Sequence, residues 1–155
     1  MLRMRIELDP STLQPPRWPA GVDVTAFTLN DAARLHSLLA HAYRHGGGSV
    51  TDLPTWTAQM TADEEYDPRL WTLAQSHRVL VGAVLCWTGG FVKDLVVDEA
   101  WRGRGLGEAL LRHALSTFAA RGLPAVELKV HADNSPAIGL YERVGMRIVE
   151  RLQDR

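Results

Sequence analysis

The sequence predicts a single mixed α/β domain, with a mostly antiparallel, splayed sheet of about six or seven strands flanked by about four helices. The chain has 155 residues, which fits one domain with one hydrophobic core. Segments in which apolar residues alternate with polar ones are interspersed with segments of helical spacing. A hydrophobic fraction of 46% and a charged fraction of 23% are typical of a soluble globular protein.

The N-terminal part predicts two strands joined by a connector. Apolar and charged residues alternate through Met1–Leu8, which is the period of a strand. This segment has no apolar h-region, so we do not interpret it as a signal peptide. Residues 9–20 are rich in proline, which lacks a backbone donor, and we expect this connector to be extended and unpaired. Gly21–Phe27 predicts the next strand.

Two helices are expected before the central strands. Asn30 and Asp31 can cap a helix that runs to about His45 and ends at the glycine run Gly46–Gly48. This run predicts a flexible loop and not a phosphate-binding loop, because no strand precedes it. Thr55–Glu64 predicts a second, shorter helix.

The middle of the chain predicts three strands. Trp71–Gln75 and Val79–Trp87 have the pattern of an antiparallel hairpin that turns at Ser76 and His77. Phe91–Val97 continues the sheet after a glycine turn.

The C-terminal part alternates helix and strand. Gly105–Arg121 has a strongly amphipathic helical pattern. Ala125–Val130 predicts a strand, Ser135–Val144 a helix and Met146–Leu152 a last strand.

Charge and cysteine content narrow the environment and the partners. The formal net charge is -1, which argues against bulk nucleic-acid binding. No apolar run approaches the roughly 20 residues of a membrane helix, so we expect no membrane partner. Cys86 is the one cysteine and lies in an apolar run, which predicts a buried, inert thiol. These features favour a reducing compartment, the cytoplasm.

The segment from Val92 to Gly107 carries the strongest chemical signal. A strand runs into a loop rich in arginine and glycine, and that loop opens a long helix. The first amides of a helix lack internal partners and carry partial positive charge. Glycines at 103, 105 and 107 allow the backbone to approach an anion closely, and Arg102 and Arg104 add charge. The segment therefore predicts a site for a phosphate or diphosphate.

Two common phosphate motifs do not fit this loop. A Walker loop requires lysine and then serine or threonine after its last glycine, whereas Glu108 and Ala109 follow Gly107. A dinucleotide fingerprint beginning at Gly103 would require glycine at position 108.

The spacing of Arg102, Gly105 and Gly107 instead matches the pattern Arg-x-x-Gly-x-Gly. Downstream, residues 134–146 spell N-x-x-A-x-x-L-Y-E-x-x-G-M. Together these motifs resemble the GCN5-related N-acetyltransferase (GNAT) superfamily. The resemblance implies acetyl-coenzyme A as cosubstrate and no metal.

The resemblance assigns the coenzyme contacts by position. Backbone groups of the strand before the loop would meet the pantetheine arm, the loop amides would hold the diphosphate, and the arm would lie where Phe91–Val97 and Ala125–Val130 diverge. Asn134 would bind the arm, although it can equally cap the helix that follows. The expected coenzyme-binding residues are Leu95, Val96, Val97, Arg102, Gly103, Arg104, Gly105, Leu106, Gly107 and Asn134.

The same resemblance suggests catalytic roles. Tyr141 would be the general acid that protonates the departing thiolate; otherwise it is an aromatic residue packed on its helix. Asp94 could accept the proton of the attacking amine, directly or through water, or be a salt-bridged aspartate. His131 is a second candidate base, and water chains could replace both. Acceptor contacts could come from the first two helices, where six polar or aromatic side chains are available: His36, Tyr43, Arg44, His45, Trp56 and Tyr66.

The pattern departs from the family at the C-terminus. The usual fold ends with two strands after the last helix, and only Met146–Leu152 is predicted here. We expect Met1–Leu8 to fill the vacant position beside Ala125–Val130, as in a circular permutation. The alternatives are pairing with another subunit of a homodimer or a frayed terminus.

The function predicted from the sequence is N-acetyl transfer from acetyl-coenzyme A to a primary amine of a small molecule or protein, by direct attack in a ternary complex. A non-catalytic acyl-coenzyme A sensor is the alternative. An enzyme that uses the loop for nucleotide phosphates is less consistent with the absence of a lysine or metal-binding cluster.

Overall fold

The computed structural model describes residues 1–153, in which seven strands form one sheet. The strands are β1 (Leu2–Glu7), β2 (Asp23–Ala26), β3 (Trp71–Ser76), β4 (Val79–Trp87), β5 (Phe91–Val97), β6 (Ala125–Val130) and β7 (Arg147–Arg151). The helices are α1 (Ala32–Ala42), α2 (Leu53–Ala62), α3 (Leu106–Ala120) and α4 (Ser135–Val144). The strand order is β2-β3-β4-β5-β6-β1-β7, and every neighbouring pair is antiparallel except β5 and β6. The predicted fold class is confirmed.

Strand β1 lies between β6 and β7, far from its sequence neighbour β2. Met4 pairs with Leu128 of β6 on one side and with Ile148 of β7 on the other. Its apolar side chains are buried, while Arg3 on the opposite face forms a 2.9 Å ion pair with Glu127. The expectation that Met1–Leu8 fills the position beside Ala125–Val130 is therefore confirmed.

Helices cover both faces of the centre of the sheet. Helices α1 and α3 both pack on β4, whose residues are buried continuously from Leu80 to Cys86. A strand buried on both faces loses the alternation of a half-exposed one, which explains its unbroken apolar run. Helix α3 approaches so closely at Gly82 that an added Cβ would lie 3.0 Å from a Leu106 methyl group.

Helix α1 differs from the prediction at both ends. It is preceded by a 3₁₀ turn that Thr28 and Asp31 close with a reciprocal capping box. Asp31, one of the two predicted residues, occupies the N-cap position of the helix, whereas Asn30 lies within the turn. The helix ends at Ala42 and not near His45, because Tyr43 leaves the helical conformation. The Tyr43 side chain is held by a strand residue distant in sequence, which the local pattern does not reveal.

Three shorter segments also differ from expectation. The connector begins with a turn in which the amides of Thr12 and Leu13 donate to the Asp9 carbonyl, so it is not unpaired throughout. Helix α2 starts two residues earlier than predicted, because Asp52 caps it through the Thr55 amide at 3.0 Å. The β3–β4 turn falls at residues 77 and 78, which both have positive φ.

Candidate active site

Strands β5 and β6 separate within the sheet. Their parallel pairing covers only Phe91 with Glu127 and Val92 with Leu128. At the same point the pairing of β5 with β4 skips Lys93, since Leu85 faces Asp94 and Cys86 faces Val92. A bulge of this kind bends its strand and increases the local twist, which turns β5 away from β6. The splay predicted between these strands is thus present.

The gap between the two strands forms an inner cavity. Its walls come from both diverging strands, from the residues after α1 and from α4. The lining residues are Met1, Tyr43, Gly47, Val92, Lys93, Asp94, Leu95, Leu128, Lys129, Val130, His131, Asn134 and Tyr141.

Two further concavities continue the inner cavity towards the start of α3. A middle groove shares Leu95, Asn134 and Tyr141 with the inner cavity and also contains Val96, Val97 and Gly107. An outer groove begins where the middle groove ends and is lined by Val97, Trp101, Arg102, Gly103, Gly105, Leu106, Gly107, Glu108, Asn134, Pro136, Ala137, Leu140 and Arg143. The shared residues join the glycine loop to the gap between the strands.

The glycine loop has the backbone geometry of an anion site. Gly103 and Gly105 have φ values of +77° and +85°, a region that residues with a Cβ rarely adopt. Gly105 is the N-cap of α3, and the first helical hydrogen bond runs from the Ala109 amide to its carbonyl. The amides of the preceding first turn therefore have no helical partner. The Arg102 amide differs, because it donates to Glu99 at 3.4 Å.

The two loop arginines point to different places. The side chain of Arg102 lines both the middle and outer grooves. Arg104 instead stacks on Trp101, with its guanidinium carbon 4.5 Å from the ring centroid. It lines a separate cavity beside the N-terminal connector. Sequence spacing placed both side chains at one anion site, whereas only Arg102 lines the groove.

Asn134 occupies the junction of all three concavities. Its side-chain oxygen accepts a 3.3 Å hydrogen bond from the Ala137 amide and so caps α4. The capping interpretation is therefore correct, and the side chain still borders the groove where a coenzyme contact is predicted.

Asp94 is buried and lies on the wall of the inner cavity. One carboxylate oxygen accepts a 2.5 Å hydrogen bond from the Tyr43 hydroxyl, and the other accepts a 2.6 Å hydrogen bond from the Lys93 ammonium. Burial, and then the Asp94 carboxylate, raise the pKa of Tyr43 above its ordinary value. The cluster holds a protonated phenol and an ammonium group against one buried carboxylate.

Tyr141 borders both the inner cavity and the middle groove. It is 9% exposed, and burial raises the pKa of its phenol. The phenol is therefore protonated at neutral pH, which is the state that a general acid requires.

Of the six side chains considered for acceptor contacts, Tyr43 lines the inner cavity. The other five are not among the residues that line this cavity. Of these, His36 contacts the Thr51 carbonyl at 2.6 Å, and Arg44 pairs with Glu99 at 2.9 Å. His131, the second candidate base, does line the cavity. Lys93 and Lys129 were not expected there. Their place on two diverging strands was the available signal, since residues flanking the splay must line the gap.

The one cysteine lies in the core. Cys86 is 1% exposed, and burial raises the pKa of its thiol, so it is unavailable as a nucleophile.

Within residues 1–153, no group of three or more His, Cys, Asp or Glu side chains is arranged to hold a metal ion. None of the helices in that range combines the length and apolar composition needed to span a membrane.

Similarity to known proteins agrees with this geometry. Residues 32–146 match the family model described as the acetyltransferase (GNAT) family. A protein of Clavibacter michiganensis named mycothiol acetyltransferase is 37% identical over 137 residues, which cover 83% of this chain and 44% of the relative. A Streptomyces avermitilis protein of the same name is 36% identical over 155 residues, with 92% and 48% coverage. The chain thus spans about half the length of these curated relatives.

Solved structures show the same fold. A GCN5-related N-acetyltransferase from Sphaerobacter thermophilus superposes with a TM-score of 0.77 and 28% identity, covering 96% of this chain and 48% of that one. The ribosomal-protein-S18-alanine N-acetyltransferase of Escherichia coli superposes with a TM-score of 0.65 over 80% of this chain and 76% of its own. At 20% identity this second likeness concerns the fold alone.

Proposed function

Because the chain belongs to the acetyltransferase (GNAT) family, we propose that it transfers an acetyl group from acetyl-coenzyme A to a primary amine. The observation that carries the proposal is the continuous path from the glycine loop to the gap between β5 and β6. A diphosphate at one end and a thioester at the other match the two ends of this path. The names of the curated relatives favour an enzyme over a non-catalytic sensor.

In this proposal the loop binds the diphosphate and β5 binds the arm. The phosphate oxygens would accept hydrogen bonds from the five consecutive backbone amides of Gly103, Arg104, Gly105, Leu106 and Gly107. The Arg102 side chain would add a positive charge. Leu95, Val96 and Val97 lie beyond the last residue that pairs with β6. Their edge is therefore free to pair with the pantetheine amides, much as an added strand would. Asn134 would contact the arm from the other wall.

The reaction proposed is direct attack in a ternary complex. The amine nitrogen bonds to the thioester carbonyl carbon, the carbon–sulfur bond breaks and the sulfur leaves as a thiolate. Tyr141 gives its phenolic proton to that thiolate, and the amine nitrogen loses a proton to a base. Direct attack is consistent with the burial of Cys86, the sole cysteine, which makes an acyl-cysteine intermediate inaccessible.

The base is the less defined partner. Asp94 lines the cavity, but both of its oxygens already accept hydrogen bonds from Tyr43 and Lys93. Because both oxygens are already engaged, we favour a water molecule that passes the proton on, with Asp94 orienting the groups around it. His131 on the same cavity wall is the alternative acceptor.

The acceptor and the setting are expectations of the same proposal. An amine related to mycothiol is the first acceptor to test, because two curated relatives carry that name. Peptide N-termini are the second class. We expect one cytoplasmic domain without nucleic-acid or membrane partners, and a homodimer is the assembly to test.

The test is release of free thiol from acetyl-coenzyme A in the presence of amines. We expect amine-dependent release with the wild-type protein, and a loss of about a hundredfold in kcat with Tyr141→Phe at little changed coenzyme affinity. If coenzyme A binds and no amine in a broad panel is acetylated, the sensor alternative replaces the enzyme. If coenzyme A does not bind, the whole proposal fails.

A further inference from the structure

A further cavity lies beside the outer groove, at the first turn of α3. We call it the connector cavity, because part of its wall comes from the segment that joins β1 to β2. It is lined by Gln14, Pro15, Arg17, Arg104, Gly105, Glu108, Ala109 and Arg112. Gly105 and Glu108 also line the outer groove. A ligand bound at the glycine loop therefore has the connector cavity directly beside it.

The charge of this cavity is strongly positive. Three guanidinium groups line it, from Arg17, Arg104 and Arg112, against the single carboxylate of Glu108. Glu108 pairs with Arg112 at 3.2 Å, whereas Arg17 and Arg104 have no acidic partner within residues 1–153. The net formal charge of the lining side chains is +2, since three positive charges face one negative charge. This value complements a phosphate monoester dianion.

Packing positions the two segments that carry Arg17 and Arg112. Trp18, which follows Arg17, packs on His113, which follows Arg112, with ring centroids 5.8 Å apart. Trp18 and Leu13 both pack against the core, and the contact between Trp18 and His113 places this part of the connector beside α3. Stacking on Trp101 orients Arg104. Arg104 on Trp101 and Arg112 beside Glu108 are thus held before a ligand arrives, so these two guanidinium groups lose less conformational entropy on binding it.

We propose that the connector cavity binds the 3′-phosphate of coenzyme A, with Arg17 as the residue that distinguishes the coenzyme from its 3′-dephospho form. The 3′-phosphate is joined to the diphosphate through one ribose, so a diphosphate on the glycine loop brings it to a neighbouring site. The inference rests on the proposed function, since it requires coenzyme A in the outer groove. It gives the connector a role in ligand binding.

The test compares coenzyme A with 3′-dephospho-coenzyme A by isothermal titration calorimetry, which needs no acceptor amine. We expect the wild-type protein to bind coenzyme A at least about tenfold more tightly, as one charge-assisted contact to phosphate implies. Arg17→Gln should weaken coenzyme A binding about fivefold or more and leave 3′-dephospho-coenzyme A within about twofold. Arg17→Lys should retain part of the preference.

Arg78→Gln is the matched control, because it removes the same charge from the β3–β4 turn and Arg78 lines none of the four concavities. It should leave both affinities unchanged. Titration of inorganic phosphate alone tests whether the cavity binds free phosphate instead of the 3′-phosphate of coenzyme A.

The outcomes separate the inference from the proposed function. Equal binding of the two coenzymes by the wild-type protein, or a preference that survives unchanged in Arg17→Gln, overturns the inference and leaves the proposed function intact. Arg17-dependent binding of inorganic phosphate without coenzyme preference also overturns it, in favour of a free phosphate site. If neither coenzyme binds, the proposed function fails.

Discussion

Replacing Gly105 by aspartate places a negative charge at the proposed diphosphate site. An added Cβ at this position meets no atom within 4 Å, so the first side-chain atom causes no clash. The φ of +85° does impose a backbone cost of about 1 kcal/mol on a residue with a Cβ. Asparagine and aspartate tolerate this region similarly, so Gly105→Asn carries the same backbone cost without the charge.

The difference between the two variants isolates the electrostatic term. A carboxylate about 5 Å from a diphosphate of charge about -2 is repelled by about 1.7 kcal/mol at the dielectric constant of water, and by more in a groove that excludes water. This energy corresponds to a loss of about fifteen- to twentyfold in affinity. Screening makes the difference smaller at high salt.

Calorimetric titration of coenzyme A into Gly105→Asp and Gly105→Asn, at low and high salt, measures this term directly. We expect the aspartate variant to bind at least about tenfold more weakly than the asparagine variant at low salt, with similar thermal unfolding of the two apo proteins. Equal affinities would refute the assignment of the diphosphate to this loop.

Three further predictions concern other parts of the molecule. Tyr141→Phe should lower kcat by about a hundredfold and change the coenzyme Kd by less than about threefold, in steady-state and binding assays; unchanged turnover would remove Tyr141 from the chemistry. Tyr43→Phe should lower the free energy of unfolding in urea by about 1–3 kcal/mol, because a buried Asp94 oxygen loses its donor; a neutral effect would contradict the observed hydrogen bond. Hydrogen bonds from Arg69, and then from Arg121, lower the pKa of Asp67 to about 2. A carboxyl with a depressed pKa stabilises the fold above its unfolded pKa of about 4, and that contribution is lost as the pH falls towards 2. Wild type should therefore exceed Asp67→Asn by about 2 kcal/mol at pH 6 and by progressively less below pH 4; a constant difference would argue against the ion pair.

The sheet was largely predictable, because most of its strands have a clear local residue pattern and the family resemblance indicates how many strands to expect. Alternation identified Met1–Leu8 as a strand, and the family pattern suggested the position beside Ala125–Val130, with pairing to another subunit and a frayed terminus as alternatives that the structure decided against. The limits of β5, β6 and α4 agree with the prediction because glycine, proline and capping residues mark their ends. The divergence of β5 and β6 followed from the family resemblance, whereas its physical cause, the bulge at Lys93, appears only in the pairing register.

The details that sequence reasoning missed depend on contacts between distant residues. Tyr43 and Asp94 are 51 positions apart, and their hydrogen bond accompanies the early end of α1. The direction of Arg104 is set by stacking on Trp101, which spacing in a loop does not encode. The role proposed for Arg17 depends on packing of the connector against α3. Trp18 and His113, which make this contact, are far apart in the sequence.

A crystal structure of the protein with coenzyme A tests the central claim most directly. We predict density for the diphosphate within hydrogen-bonding distance of the amides of residues 103–107, and for the pantetheine arm between β5 and β6 with its sulfur near Tyr141. A coenzyme bound elsewhere, with that loop and that gap empty, would contradict the account.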